Sequence, residues 1–285
     1  MSQFFDKSEV RRTALKCEPI QFEGLYFYPI TVEHYDVFLA CESALTVRLS
    51  MLPAIYAAKN YAQAIFSMQL DAMMQGGNEG QAGYWTRFMQ LLVLSLKIEP
   101  EAVGRSIQML VDKNSPTTLK ALVITQTTED EGERLVRISP SQIGQIRELI
   151  ALMNGRELPD EADNAELIQA EQDVQDLNRA FELDVNMDDL KASIAASQHI
   201  RMKELDSWTI LEFDLIKNAI DREKHFMVYG IGEASGMVKF KNGNPVPSPF
   251  FNKKKENIGI ISAQAFQSRV QGAIQQTDSL PNLPI

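Results

Sequence analysis

Strand-forming runs occur in two places in this chain, and each is a pair split by turn residues. "IQF" and "LYFYPI" flank Glu23-Gly24, and "LKALVIT" and "RLVRI" flank the polar stretch "QTTEDEGE". Aromatic and β-branched runs on either side of a tight turn predict antiparallel hairpins. With strand signals confined to two local pairs, the chain is predicted to be mainly α, in the α+β class. It then has two short β-hairpins in the N-terminal part, a helical C-terminal domain and an extended C-terminal tail.

The helical segments carry start and stop signals. Thr31 is placed to cap a helix over "VEHYDVFLACESALTVRL", and Pro53 opens another through about Met74, apolar on several sides and therefore buried. "QGGNEGQAG" reads as a loop, followed by a helix from Tyr84 to Lys97 and one from Pro100 to about Asp112. Ser139-Pro140 combines a capping hydroxyl with proline at the first position, and that helix ends near Asn154-Gly155. A helix follows from about Met187 to Ser197. Asp206 is read as the cap of a longer one, with Trp208, Leu211, Leu215, Ile216, Ala219 and Ile220 as its apolar stripe and Gly230 and Gly232 as its stop.

Composition shifts abruptly in between. From Arg156 to Leu190 there are twelve acidic residues and two basic ones. With Pro159 this places a boundary near Leu158: an N-terminal α+β domain over 1–158, an acidic helical domain over 159–236, and an extended proline- and lysine-rich strip with a disordered tail over 237–285. The acidic stretch "NAELIQAEQDVQDLNRAF" reads as an exposed amphipathic helix, either a solvated face or a surface for a basic partner.

Bulk properties narrow the function. The net charge of −10 speaks against a dominant nucleic-acid surface, since neutralising phosphates needs local basicity. Two cysteines, Cys17 and Cys41, point to a reducing compartment rather than a disulfide scaffold. The first residues, "MSQFFDKSEVRRTALK", lack the apolar core of a secretory signal, and no uncharged apolar run reaches the roughly 18 residues of a membrane helix. A cytoplasmic, soluble protein is the expectation.

Catalytic readings fare poorly. "YGIGEASG" superficially resembles a dinucleotide loop, but Ser235 stands where the third glycine belongs, and a helix rather than a strand precedes it. It reads as a helix stop and turn. His34, His199 and His225 are not at ligand spacing from one another, and Cys41 lies in an apolar helix where an inert thiol is the rule. Asp160, Glu161 and Asp163 sit in a solvated linker with nothing to separate their pKa values. No enzyme activity, no cofactor and no metal are expected.

"GNPVPSPFFNKKK" is different. Pro245, Pro247 and Pro249 force an extended backbone, Phe250 and Phe251 follow as apolar anchors, and Lys253, Lys254 and Lys255 make it basic. A stiff strip of this kind loses little entropy on docking. It packs either on the acidic helical domain or on another chain.

"FYPITVEHYDVFLACESALTVRLSMLPAIYA", "ISPSQIGQIRELIALMNGRELPDEADNAEL" and "GIGEASGMVKFKNGNPVPSPFF" together resemble proteins of phages and prophages in Firmicutes that look like tail assembly chaperones. The resemblance runs from about Ile20 to Lys255. It implies a non-enzymatic helper in virion morphogenesis that acts in the host cell cytoplasm. Such a helper coats the tape measure protein until the tail tube polymerises around it. Its implied partners are the tape measure protein and the tail tube protein, without nucleic acid or membrane; self-association is left open. The family's motifs are structural, so no functional residue carries over. The twelve methionines, several near Met51, Met68, Met73, Met74 and Met89, either fill the core or line an adaptable groove for a helical client. The rival reading is a structural tail or baseplate component retained in the particle.

Overall fold

The computed structural model describes residues 4–75, 83–128, 132–159, 186–236 and 239. Among these residues the protein is mainly helical with two small antiparallel sheets.

Helix α1 (Lys7–Leu15) starts where the Asp6 carboxylate accepts from the backbone N–H groups of Ser8 and Glu9, at 2.8 and 3.4 Å. The first hairpin follows as read: β1 (Ile20–Phe22) and β2 (Leu25–Phe27) pair antiparallel around Glu23 and Gly24. Both turn residues have positive φ, 51° and 82°, the conformation that matches the twist of a two-residue hairpin.

The expected single helix after Thr31 is broken. A 3₁₀ turn (Val32–His34) leads into α2 (Tyr35–Cys41) and α3 (Ser43–Thr46). Thr31 makes no side-chain cap; it forms a β-bridge with Thr209 instead. The break near Val47 has a partner far along the chain: the buried Arg147 guanidinium donates to the carbonyls of Leu45 (2.8 Å) and Val47 (2.5 Å). The helix expected from Pro53 is also divided, into α4 (Ala54–Ala57) and α5 (Tyr61–Gln75), because the Asn60 side chain caps the second piece by accepting from Gln63 N–H at 2.9 Å. Helix α6 (Tyr84–Ser95) buries Trp85, Phe88, Leu91 and Leu92.

The segment after Pro100 corrects the sequence reading. A 3₁₀ turn (Pro100–Ala102) and the single turn α7 (Val103–Ser106) give way to strand β3 (Ile107–Val111). It joins the second hairpin, β4 (Leu119–Thr128) and β5 (Gly132–Ile138), in a three-stranded sheet of order β3-β4-β5. "IQMLV" is a short apolar run whose periodicity does not distinguish helix from strand. Pairing with β4 decides it, with Ile107 opposite Ile124 and Met109 opposite Leu122.

Side-chain amides knit these pieces together. Gln126 is buried on β4; its Oε1 accepts from Tyr26 N–H and its Nε2 donates to Tyr26 C=O, both at 2.8 Å. It thus acts as one more strand beside β2. Gln63 likewise engages both backbone groups of Leu119. Buried Asn154 accepts from Ile30 N–H at 3.0 Å. A buried amide so placed satisfies backbone groups that would otherwise be left unpaired.

Helix α8 (Pro140–Met153) begins at Ser139, whose N–H donates to Gln142 Oε1 at 2.7 Å, the return half of a capping box. It ends as expected, with Gly155 at φ +75°. After α9 (Met187–Gln198) and α10 (Met202–Leu205) comes α11 (Ile210–Ala234). Its cap is Thr209, whose Oγ1 accepts from Glu212 N–H at 3.1 Å, not Asp206, which pairs with Lys191. Nor do Gly230 and Gly232 stop it. The helix runs through both to Ala234, and the positive φ falls at Gly236. A helical glycine costs about 1 kcal/mol, which the good helix formers around these two can absorb.

The chain divides into two compact units, Met1–Ile220 and Asp221–Ile285. In the first, Ile194, Leu205, Ile210, Leu211 and Phe213 join the same apolar core as Phe27, Phe38, Phe88, Leu122 and Ile150. Main-chain bonds from Val32 N–H to Trp208 O and from Ile210 N–H to Ile30 O, both 2.9 Å, stitch the start of α11 to the segment before α2. The start of α11 thus shares one core with elements that precede Leu158. In the second unit the described residues are the far half of α11, the turn at Ser235 and Gly236, and Lys239. The acidic stretch at 164–181 lies outside the described residues. Among those described, no helix is long and apolar enough to cross a membrane.

Candidate functional site

Among the described residues of the first unit, a cluster of ionisable groups surrounds Asp214. It stands on the first turns of α11 between Phe213 and Leu215, at a position that shares the buried face with Ile210 and Leu211, and it is 9% exposed. Tyr35 and Phe38 come from α2, and Glu42 follows that helix. Arg156 arrives through the left-handed turn at Gly155. Any side chain at 155 would meet Leu211 Cδ1 at 3.0 Å, so both conformation and space call for glycine there.

Asp214 accepts from three donors. Its Oδ1 accepts from the Tyr35 hydroxyl at 2.9 Å and from Lys217 Nζ at 3.1 Å, and its Oδ2 accepts from Arg156 Nη1 at 2.7 Å. The Arg156 guanidinium lies over the Phe38 ring at 5.2 Å. Its Nε sits 2.5 Å from Glu42 Oε1, an ion pair without hydrogen-bond alignment, since Nε finds no properly angled acceptor. Burial pushes the Asp214 carboxyl up, but the Arg156 hydrogen bond and the Lys217 charge outweigh it and hold the group below its ordinary range. Burial likewise opposes the charge on Arg156, yet Asp214 and Glu42 keep it above its ordinary value. The Tyr35 hydroxyl is pushed up, by burial first and by the Asp214 charge second.

A cleft of about 300 Å³ opens beside this cluster, lined among others by Arg11, Leu15, Arg156, Leu211, Asp214 and Leu215. Among the described residues that line it, Asp214 is the one carboxylate and there is no histidine. Asp214 there takes three donors, two on Oδ1 and one on Oδ2. The arrangement joins α2, the turn after α8 and α11 as a largely buried ion-pair clamp.

This sets a pH dependence. A carboxylate held below its unfolded value, near 4, stabilises the fold fully above that value and loses its contribution as pH falls through the folded one. In urea titrations wild type is therefore expected to exceed Asp214→Asn in stability at pH 6. The gap should narrow steadily below pH about 4; a gap that stays constant would remove Asp214 from that role.

The residues singled out in the sequence are scattered. His34 ends the 3₁₀ turn, His199 closes α9 at φ 57°, and His225 faces Asp221, Nδ1 to Oδ2 at 3.2 Å. Cys41 is buried, its thiol donating to Gln90 Oε1 at 2.8 Å and pushed up by burial. Gly230 and Gly232 are helical, so the loop that a phosphate would need is not formed there. The methionines split: Met68 is buried and Met89 packs on the core, while Met51 is about half exposed and Met73 and Met74 are both 70% exposed. Among the described residues no group of three or more metal-binding side chains is found. Pro245, Pro247, Pro249, Phe250, Phe251, Lys253, Lys254 and Lys255 lie outside the described residues, as do Asp160, Glu161 and Asp163. The ion-pair cluster itself was missed in the sequence. Its one local signal is an aspartate inside the apolar period "ILEFDLI".

No family model matches the chain, and neither a curated protein nor a solved structure matches it.

Proposed function

We propose that this chain is a non-enzymatic tail assembly chaperone that binds the phage tape measure protein during tail morphogenesis. The observation that carries the reading is the far half of α11, where Met227, Val228 and Ile231 are 54%, 65% and 67% exposed in succession. Large apolar side chains clustered in water mark a surface that meets another chain. Met227 and Ile231 are four residues apart, the spacing by which one helix lies along another. Met73 and Met74 at the end of α5 add flexible apolar contacts of the sort that accommodate varied helical clients.

Co-expression with the tape measure protein followed by affinity capture is expected to recover both chains. Met227→Lys with Ile231→Lys is expected to abolish capture while leaving melting unchanged, because neither residue is buried. Failure to recover any tape measure fragment at low and at moderate salt would sink the reading. Recovery of the chain from purified virions by mass spectrometry would replace it with a retained tail component.

A further inference from the structure

Donors outnumber acceptors in the cleft beside Asp214. Arg11, Arg156, Lys217 and Asn218 line it, and Asp214 already takes donors from Tyr35, Arg156 and Lys217. The ion-pair network around the cleft holds four cations, Lys7, Arg11, Arg156 and Lys217, and three carboxylates, Glu42, Glu157 and Asp214. Glu157 accepts a hydrogen bond from Lys7, so the uncompensated charge falls on Arg11. Its Nη2 stands 3.6 Å from Glu157, beyond hydrogen-bond reach, and its Nε is buried without a partner. Among the described residues Arg11 thus makes no side-chain hydrogen bond, although its side chain is only 35% exposed. A cation so placed favours an anion that brings its own acceptors.

The surface next to this cation is apolar and wet. Leu15 lies one turn beyond Arg11 on α1, and Leu215 one turn beyond Leu211 on α11. Both line the cleft, and they are 44% and 50% exposed. The volume, about 300 Å³, suits a small ligand. We propose that the cleft binds a carboxylate carried on a short apolar chain, with the carboxylate on Arg11 and the chain against Leu15 and Leu215. Each half selects. A bare anion leaves the leucines wet, and an apolar cation meets Arg11 and Lys217 as like charges. A free acid and the carboxyl terminus of a peptide ending in leucine present the same chemistry. The proposal does not rest on the tape measure reading.

Titration of the full chain, followed by amide and arginine side-chain NMR shifts, tests this with hexanoate, acetate, hexylamine and a short capped peptide ending in a free leucine carboxylate. Hexanoate is expected to saturate with a Kd of about 1 mM, and acetate and hexylamine to bind at least about tenfold more weakly. Arg11→Gln and Leu215→Asn are each expected to weaken hexanoate at least about fivefold, by losing the charge and the apolar wall respectively. Both should melt as wild type does, since both side chains stand partly in water. Arg11→Lys keeps the charge without the fork and should recover part of the affinity. A peptide that binds more tightly than hexanoate supports a protein chain as the source, and the reverse order supports a free acid. The proposal is overturned by hexanoate shifts that do not saturate, by acetate or hexylamine binding as well as hexanoate, or by an Arg11→Gln chain that binds as wild type does.

Discussion

Arg156→Ala is expected to lower the stability of the first unit by about 1.5–3 kcal/mol, the usual worth of hydrogen bonds to charged groups, since the pair is largely but not fully buried and Asp214 keeps two donors. Asp214, 9% exposed, would keep Lys217 and the Tyr35 hydroxyl but lose its shortest bond, at 2.7 Å. Glu42 would lose the guanidinium beside it, and Phe38 the planar cation over its ring. For a chain of this size the change corresponds to a fall in Tm of roughly 5–10 °C. Arg156→Lys keeps the charge but not the fork that reaches both carboxylates, so it should recover only part of the loss. Differential scanning calorimetry of the three proteins gives the answer. A melting temperature unchanged in Arg156→Ala would mean that the cluster contributes little, and that α11 is held by apolar packing alone.

That cluster also marks where reading the sequence stops. What was legible was local. Glu23-Gly24 specified its hairpin because a two-residue turn needs positive φ at both positions. Ser139-Pro140 specified the start of α8 because cap and first turn are adjacent in the chain. The mainly helical class followed from such signals. What was missed depended on partners far away. Tyr35 meets Asp214 across 179 positions, and Arg156 meets it across 58. Arg147 holds the carbonyls of Leu45 and Val47 from 100 and more positions on, and so fixes a break that helical periodicity alone would have bridged. Strand β3 was misread for the same reason: its conformation is decided by β4, not by "IQMLV". Gly230 and Gly232 show the converse error, a local stop signal overridden by the helix on both sides.

Phe88→Ala is expected to cost more, about 3–5 kcal/mol, by a different route, the opening of a cavity that the surroundings cannot fill. Phe88 is fully buried on α6. Its ring meets Tyr61 edge-on at 5.7 Å and lies beside Trp85 at 6.2 Å, while Trp85 meets Phe66 at 5.1 Å. Such pairs add about 0.5–1.5 kcal/mol each beyond the area they bury. Tyr61 in turn donates to the Ala44 carbonyl at 2.8 Å and lies under the Arg147 guanidinium at 4.2 Å. The ring of Phe88 therefore supports the residue on which Arg147 rests while it holds the chain at Leu45 and Val47. Phe88→Leu keeps most of the volume and should cost much less. Phe88→Ala should in addition expose the backbone around Val47 to faster amide exchange. If exchange there is unchanged while overall stability falls, the aromatic stack fills space but does not position Arg147. If stability itself is unchanged, this part of the core repacks around the missing ring.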